Sequence, residues 1–414
     1  MKTEIITIGD ELLIGQIPDT NAQWMASRLT AEGFDVQRIT SLPDRVDDIV
    51  QCLRDASARS GLVFITGGLG PTDDDVTRQA ISRFFQVEWE MNADVYARLK
   101  DYLAMRGYEV SRINREQAKT PKDSRVFVNQ TGTAPAISLE KSRCRFYFMP
   151  GVPPEMRQLM NQSILPDANS LYNQHFYISE YLLTQGIPEA HLAEKLKEFE
   201  QNLPQPFKLA YLPGEGLVWL RLSGRGEQRK PLEEPFREIL GELQDLLYGF
   251  LVHTGNESPE ELVGRLLAAR GLTLSTAESC TGGMIAQSVT SIPGCSRYFK
   301  GSVVAYDNAI KNHLLGVSGE ILRDHGAVSQ PVVKQMARGI LKLHDTDFSL
   351  ATSGIAGPGG GTTEKPVGTT WIAVASRERV ITRQFHFGDN RRLNIRKATN
   401  TALVMLKKMI LKEI

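Results

Sequence analysis

The chain has 414 residues, more than one ordinary hydrophobic core organises, so two or three domains are expected. Its 48 basic residues balance 48 acidic ones, which argues against a whole-chain electrostatic grip on nucleic acid. The cysteines Cys52, Cys144, Cys280 and Cys295 are scattered, with no C-x-x-C pair and no zinc spacing. With no signal-like N-terminus and no run near the ~20 apolar residues of a membrane span, a cytoplasmic protein with reduced thiols is expected.

In chain order, residues 3–9 read as a short buried strand ending at Gly9. Thr20 and Asn21 offer an N-cap for a helix that stops near Gly33. "FDVQRIT" is a second strand. Val46, Ile49, Val50 and Leu53 then recur at helical spacing. "LVFITGG" is a third strand, followed by a helix from Val76 to Phe85. Alternating strands and helices predict a parallel sheet with helices on both faces. Function in such sheets sits beyond the carboxyl ends of the strands.

Residues from about 165 to 250 predict a small α+β unit. It comprises a strand, a turn at Gly186–Pro188, a helix, a hairpin around "PGEG" and a helix with Ile239, Leu240, Leu243 and Leu247 on its apolar side. Ser258 and Pro259 start the next helix. Strands at 272–277, 301–306, 349–355, 367–376 and 379–387 follow, with a last helix at about 392–411. The fold class is therefore α/β: two three-layer α/β/α domains joined by a small α+β domain. The divisions fall at 1–165, 166–252 and 253–414.

"ITGGLGPTDDDVTRQAI" is the most informative stretch of the first half. Gly67, Gly68 and Gly70 would let backbone amides approach a phosphate, and a helix N-terminus follows. Asp73, Asp74 and Asp75 either cap that helix or hold a divalent cation such as Mg²⁺, with Asp10 and Glu11 as further ligands.

In the second half, "STAESCTGGMIAQS" places two nucleophiles, Ser279 and Cys280, at a strand-to-helix turn. No histidine sits in a motif, so a Ser-His-Asp triad is unattractive. Lys311 is a base only if its pKa falls. Tyr306 would then relay a proton or orient the nucleophile. The competing reading is an exposed Lys311 on a helix and a half-buried Tyr306. The glycine-rich loop containing Gly354 and Gly357 either cradles an anion or is a plain surface loop. Arg391, Arg392 and Arg396 either clamp a phosphate or face solvent.

Two families of resemblance refine these readings. "ITGGLGPTDDDVT", "GDELLIGQIPDTNAQWM", "NQTGTAPA" (which holds Asn129) and "FMPGVPPEM" resemble, in order, the MoaB/MogA-like, molybdopterin-binding-fold domain of CinA proteins. "AESCTGG", "YDNAIK", "GAVS" and "SGIAGPGGGTTEKPVGTTW" are similar to the C-terminal CinA domain, also found alone as the PncC-type nicotinamide-nucleotide amidase. The middle segment resembles the family's KH-like domain, but with Gly186-Ile187-Pro188-Glu189-Ala190 for the usual Gly-Ile-Ser-Glu-Ser. It lacks the Gly-x-x-Gly loop of RNA-binding KH domains, so direct nucleic-acid binding is not expected.

The resemblance implies deamidation of nicotinamide mononucleotide to nicotinate mononucleotide and ammonia, without a metal. Ser279 is then the nucleophile, Tyr306 and Lys311 activate it, and Ser353 stands where the family has threonine. Glu278, Thr281, Gly282, Gly283, Gly354 and Gly357 would surround the substrate, with oxyanion-binding amides expected at Thr281–Gly283 or Gly354. Arg392, which keeps a four-residue step to Arg396, is preferred over Arg391 for the phosphate. Cys280 is a packing neighbour. In the first domain the resemblance implies metal-dependent hydrolysis of ADP-ribose to AMP and ribose 5-phosphate. Gly67, Gly68, Gly70 and Asn129 would bind substrate there, and Asp73, Asp74, Asp75 and Asp10 the metal. A homodimer is the default expectation. The alternatives are a non-catalytic accessory protein of competence or DNA damage, or a chain with one active domain.

Overall fold

The computed structural model describes residues 2–70, 75–172 and 176–413. Asp73 and Asp74 lie outside the described residues. Chain contacts divide the molecule into two compact units, Met1–Ile178 with Gly224–Glu234, and Ser179–Ser223 with Pro235–Ile414.

The first unit is built on strands β1 (Lys2–Ile8), β2 (Asp35–Leu42), β3 (Leu62–Thr66), β4 (Trp89–Met91), β5 (Lys119–Pro121), β6 (Arg125–Phe127), β7 (Ala136–Lys141) and β8 (Cys144–Met149). Six of them form one sheet in the order β2-β1-β3-β8-β7-β6. β2, β1, β3 and β8 run parallel, whereas β7 and β6 are antiparallel additions. The sheet is therefore mixed, not wholly parallel. The reversal is local: Ser142 and Arg143 adopt positive φ and close a two-residue hairpin between β7 and β8.

Strand alternation divides the core. Val63, Ile65, Phe146 and Phe148 face one apolar layer, and Leu62, Phe64, Tyr147 and Met149 the other. Both faces of the sheet are thus covered, as the near-continuous apolar runs require. The helix Thr20–Ala31 is capped by Asp19, whose side chain accepts from the Ala22 amide, and not by Thr20 or Asn21. An aspartate suits that place as well as threonine does.

Strands β9 (Phe176–Gln185), β10 (Phe207–Gly214), β11 (Leu217–Gly226) and β12 (Leu251–Thr254) form a small sheet in the order β10-β11-β9-β12. The hairpin turns at Glu215 and Gly216, both at positive φ, as the "PGEG" pattern predicts. Helices Glu189–Asn202 and Lys230–Leu246 complete this α+β element.

The remaining strands are β13 (Leu274–Glu278), β14 (Phe299–Val304), β15 (Phe348–Gly354), β16 (Thr369–Ser376) and β17 (Val380–His386), ordered β14-β13-β15-β16-β17. β14, β13 and β15 are parallel, and β16 and β17 add antiparallel. One face carries Leu274, Leu350, Ile372 and Val374 in a cluster with residues of the helices Pro259–Arg270 and Arg391–Ile410. The other carries Ala277, Ala351, Ala373 and Ala375 against the helix Gln330–His344. Small residues on that face let the helix lie close. Ser258 caps Pro259–Arg270 through a capping box with Glu261, as the Ser-Pro start signal predicts. Among the described residues, no helix is long and apolar enough to cross a membrane.

Candidate active sites

In the first unit the loops after β1, β3 and β8 converge beyond the carboxyl ends of their strands. The Gly67 amide donates to Met149 O at 3.2 Å, and Thr66 Oγ1 donates to Pro150 O at 2.7 Å. Gly67 sits at φ +115°, and a Cβ there would lie 2.1 Å from Ile8 O, so only glycine lets the two loops approach. A cleft of about 410 Å³ opens above them, lined among others by Glu11, Asp44, Gly67, Gly68, Gly70, Asp75 and Glu155.

The candidates are distributed unevenly around this cleft. Asp75 lines it, and its carboxylate accepts from the Gly70 amide at 2.9 Å. Asp10 instead exchanges hydrogen bonds with Asp44. Its amide donates to Asp44 Oδ2 at 3.0 Å, and the Asp44 amide donates to Asp10 Oδ1 at 3.3 Å. Glu11 is the residue of that pair that reaches the cleft. Among the described residues, no group of three His, Cys, Asp or Glu side chains is placed to hold a metal. The described donors therefore do not make a cation site by themselves.

Asn129 is buried beneath the cleft. Its Nδ2 donates to Glu155 Oε2 at 2.7 Å and to Ala134 O at 3.0 Å, and its Oδ1 accepts from the Thr131 and Gly132 amides. It shapes the loop and aims Glu155. Burial raises the pKa of Glu155, opposed by the Asn129 hydrogen bond. Sequence reasoning missed Glu155. It follows two prolines in the first turn of the helix Pro153–Leu159, where an acid reads as a complement to the helix dipole.

In the second unit, β13 ends at Glu278 and a tight turn leads into the helix Met284–Thr290. Glu278 is fully buried and accepts from the amides of Gly283 (3.0 Å), Ile285 (3.0 Å) and Ala286 (2.8 Å). It also accepts from Thr281 Oγ1 at 2.8 Å. The Gly282 amide donates to Ser279 O. The expectation that the Gly282 and Gly283 amides meet an oxyanion is therefore corrected, because both are spent holding the turn. Glu278 acts as a scaffold from beneath. The Thr281 amide has no acceptor among the described residues.

This scaffold presents Ser279. Its amide donates to Thr352 O at 3.0 Å, while its Oγ forms no hydrogen bond among the described residues. Cys280 is buried, and burial pushes its thiol up to about 12, so the nucleophilic thiolate is suppressed.

Lys311 lies on the helix Asn308–Leu315, which Asp307 caps. The side chains reverse the plain reading of the sequence. Lys311 is 1% exposed and Tyr306 is 60% exposed. Lys311 Nζ donates to the backbone carbonyl of Tyr306 at 3.0 Å and forms no ion pair with a carboxylate among the described residues. Burial lowers its pKa, with Asp307 opposing. The Glu278 carbonyl accepts from the Ala305 amide at 2.7 Å, so the ends of β13 and β14 bring Ser279 and Tyr306 onto neighbouring loops. The Lys311 charge is close enough to act on the Cys280 thiol. No hydrogen bond joins Ser279 Oγ to either Lys311 Nζ or the Tyr306 phenol.

Arg391, and not the preferred Arg392, reaches this region. Its Nη2 donates to the Tyr306 phenol at 3.1 Å and its Nη1 to Gly357 O at 2.8 Å. Arg392 is exposed, and its side chain makes no hydrogen bond or ion pair among the described residues. The start of the helix at Arg391, one residue before the expected position, accounts for the change. Ser353 is 1% exposed, and its Oγ donates to Ala327 O at 2.7 Å. Its hydroxyl ties "GAVS" to β15. Gly354 packs against Thr370, and Asn394 holds the loop by donating to Ala356 O and Gly388 O.

Three family models match the chain in order. "Probable molybdopterin binding domain" covers residues 4–169, "Damage-inducible protein CinA KH domain" covers 179–251, and "CinA C-terminal domain" covers 256–410. A CinA-like protein of Cytophaga hutchinsonii is 40% identical over 415 residues, 99% of this chain and 98% of that protein. Another, of Flavobacterium psychrophilum, is 40% identical over 420 residues, 100% of this chain and 99% of its own length. The crystal structure of the competence/damage inducible protein CihA from Agrobacterium tumefaciens is 42% identical over 36% of this chain and 94% of that one, with a TM-score of 0.35. With near-complete relatives at this identity and all three domain models in order, the chain belongs to the CinA family.

Proposed function

We propose that the second unit hydrolyses the carboxamide of nicotinamide mononucleotide to nicotinate mononucleotide and ammonia. The observation that carries this reading is Lys311: a buried amine with no ion-paired carboxylate among the described residues, beside the Ser279 turn. Desolvation disfavours the ammonium form, which leaves an amine able to take a proton. Ser279 Oγ attacks the amide carbon while its proton passes to Lys311, directly or through Tyr306. The Thr281 amide, two residues after the nucleophile and without an acceptor among the described residues, meets the oxyanion. The tetrahedral intermediate collapses, the proton moves to the leaving nitrogen, and ammonia departs. Water then hydrolyses the acyl-serine. Arg391 orients the Tyr306 phenol and stands near the glycine loop to receive the substrate phosphate.

For the first unit the reading is ADP-ribose hydrolysis to AMP and ribose 5-phosphate in the cleft above Gly67. It is supported by the glycine-lined wall and by Glu155, an acid whose raised pKa suits proton transfer. Metal dependence of this reaction is part of the proposal.

The test offers both nucleotides to the purified chain, with and without EDTA. Ammonia release that survives EDTA and falls roughly a thousandfold or more in Ser279→Ala supports the amidase. ADP-ribose cleavage that EDTA removes supports the second activity. If Cys280→Ala abolished ammonia release and Ser279→Ala did not, the nucleophile would be wrong. Absence of both activities would favour an accessory role.

A further inference from the structure

The second unit contains a cavity of about 760 Å³ that neither proposed reaction uses. Its first wall comes from β17 and the residues after it. Arg383, Phe385 and Phe387 recur at steps of two, and the two rings are stacked at 5.5 Å with 5° between planes. Its second wall is one face of the helix Arg391–Ile410, where Lys397, Thr401, Met405 and Lys408 follow at steps of four, four and three. The turn Gly186–Glu189 and the hairpin tip Pro213–Gly216 close it.

These walls are fixed to one another. Gln185 Nε2 donates to Thr401 Oγ1 at 3.2 Å, and Asn400 Nδ2 donates to Glu215 O at 3.2 Å. Leu183, Leu217, Val252 and Val404 share one apolar cluster beside them. The cavity is thus built into the unit, and its size is that of small-molecule sites.

Its charge is unusual. The side chains of Arg383 and Lys408 make no hydrogen bond or ion pair among the described residues. They lie close enough that Arg383 adds to burial in lowering the Lys408 pKa. Of the two acids on the wall, Glu215 already faces Arg396 at 3.6 Å, and Glu189 belongs to the turn Gly186–Glu189. Glu413, whose charge reaches Lys408, is itself held by Lys407 Nζ, so two neighbouring cations with no carboxylate bonded to either side chain stand next to stacked aromatic rings and call for an anion with a flat apolar body.

We propose that this cavity binds a nucleoside monophosphate, with the phosphate between Arg383 and Lys408 and the base against Phe385 and Phe387. Calorimetric titration of the full chain with AMP, adenosine and ribose 5-phosphate tests it. AMP binds, and each fragment binds at least about tenfold more weakly, because each lacks one half of the recognition. The Arg383→Ala/Lys408→Ala double variant loses at least about tenfold in AMP affinity. Phe385→Leu weakens AMP without weakening ribose 5-phosphate. Arg383→Gln/Lys408→Met repeats the test with longer side chains should the alanine pair fold poorly. AMP is also an expected product in the first unit, but binding there would not respond to these substitutions. AMP affinity unchanged in both double variants, or adenosine binding as tightly as AMP, overturns the proposal.

Discussion

Lys311 shows how burial converts a common side chain into a reagent. An exposed lysine stays protonated to about pH 10.4. Lys311 is held below that value by burial, so the free amine is reached at lower pH. Ammonia release is expected to rise with pH through this lowered pKa and to level off below the ordinary lysine range, which a kcat/KM–pH profile reads directly. The same shift has a stability consequence. Between the folded and unfolded pKa values the unfolded chain binds more protons, so stability rises with pH across that window. Below the folded pKa the full cost of the buried charge remains. Lys311→Met should therefore abolish amidase activity while leaving thermal stability equal or higher at neutral pH. A large loss of stability instead would mark Lys311 as structural.

Glu278 behaves oppositely. Its carboxyl accepts from three backbone amides and from the hydroxyls of Thr281 and Thr276, and of these donors Thr281 also has Thr352 Oγ1 within 2.7 Å. Glu278→Ala orphans the three amides and is expected to cost about 3 kcal/mol or more, read by chemical denaturation, with activity lost as the Ser279 turn loosens. Both residues are single letters in the sequence. Which one is reagent and which is scaffold follows from what each side chain touches.

At the scale of elements, the helix Gln330–His344 crosses the end of Asn308–Leu315 at Gly339. A Cβ at Gly339 would lie 2.0 Å from Leu315 O. Replacing glycine by alanine inside a helix ordinarily gains about 1 kcal/mol. Here backbone meets backbone, so the helices must move apart, and overpacking of this kind costs about 1–3 kcal/mol. Gly339→Ala should be destabilising by thermal unfolding. Because Lys311 rides on the displaced helix, amidase activity should fall further than stability alone explains.

Most elements were legible in the sequence because their patterns are local. The alternating strands, the Ser258–Glu261 capping box and the "PGEG" turn each specify their own geometry. The antiparallel additions to both main sheets were less legible. Strand pairing is a long-range choice, and apolar runs read alike in either direction.

Across the whole molecule, each candidate site is assembled from one compact unit. The cleft at Gly67 uses Glu11, Asp75 and Glu155, and the Ser279 site uses Glu278, Tyr306, Lys311 and Arg391. Among the described residues they share no hydrogen-bond partner, so substitutions in them should act independently. Glu155→Gln is expected to lower ADP-ribose hydrolysis by roughly a hundredfold while ammonia release stays unchanged. Assays of both activities on one preparation check this, and a parallel fall in the two would reveal coupling.

The sequence by itself determined the α/β class, the order of the elements and the turns on which Gly67 and Ser279 sit. These depend on periodicity and on glycines that local geometry requires. Only the tertiary structure decided that Lys311 is buried and Tyr306 exposed, that Arg391 and not Arg392 faces the site, and that Ser353 ties down a neighbouring loop. It also decided that Glu155 enters the cleft and that Glu278 consumes the amides expected to bind substrate. Burial and hydrogen-bond partners come from segments far apart in the chain, and no local pattern encodes which of them will meet.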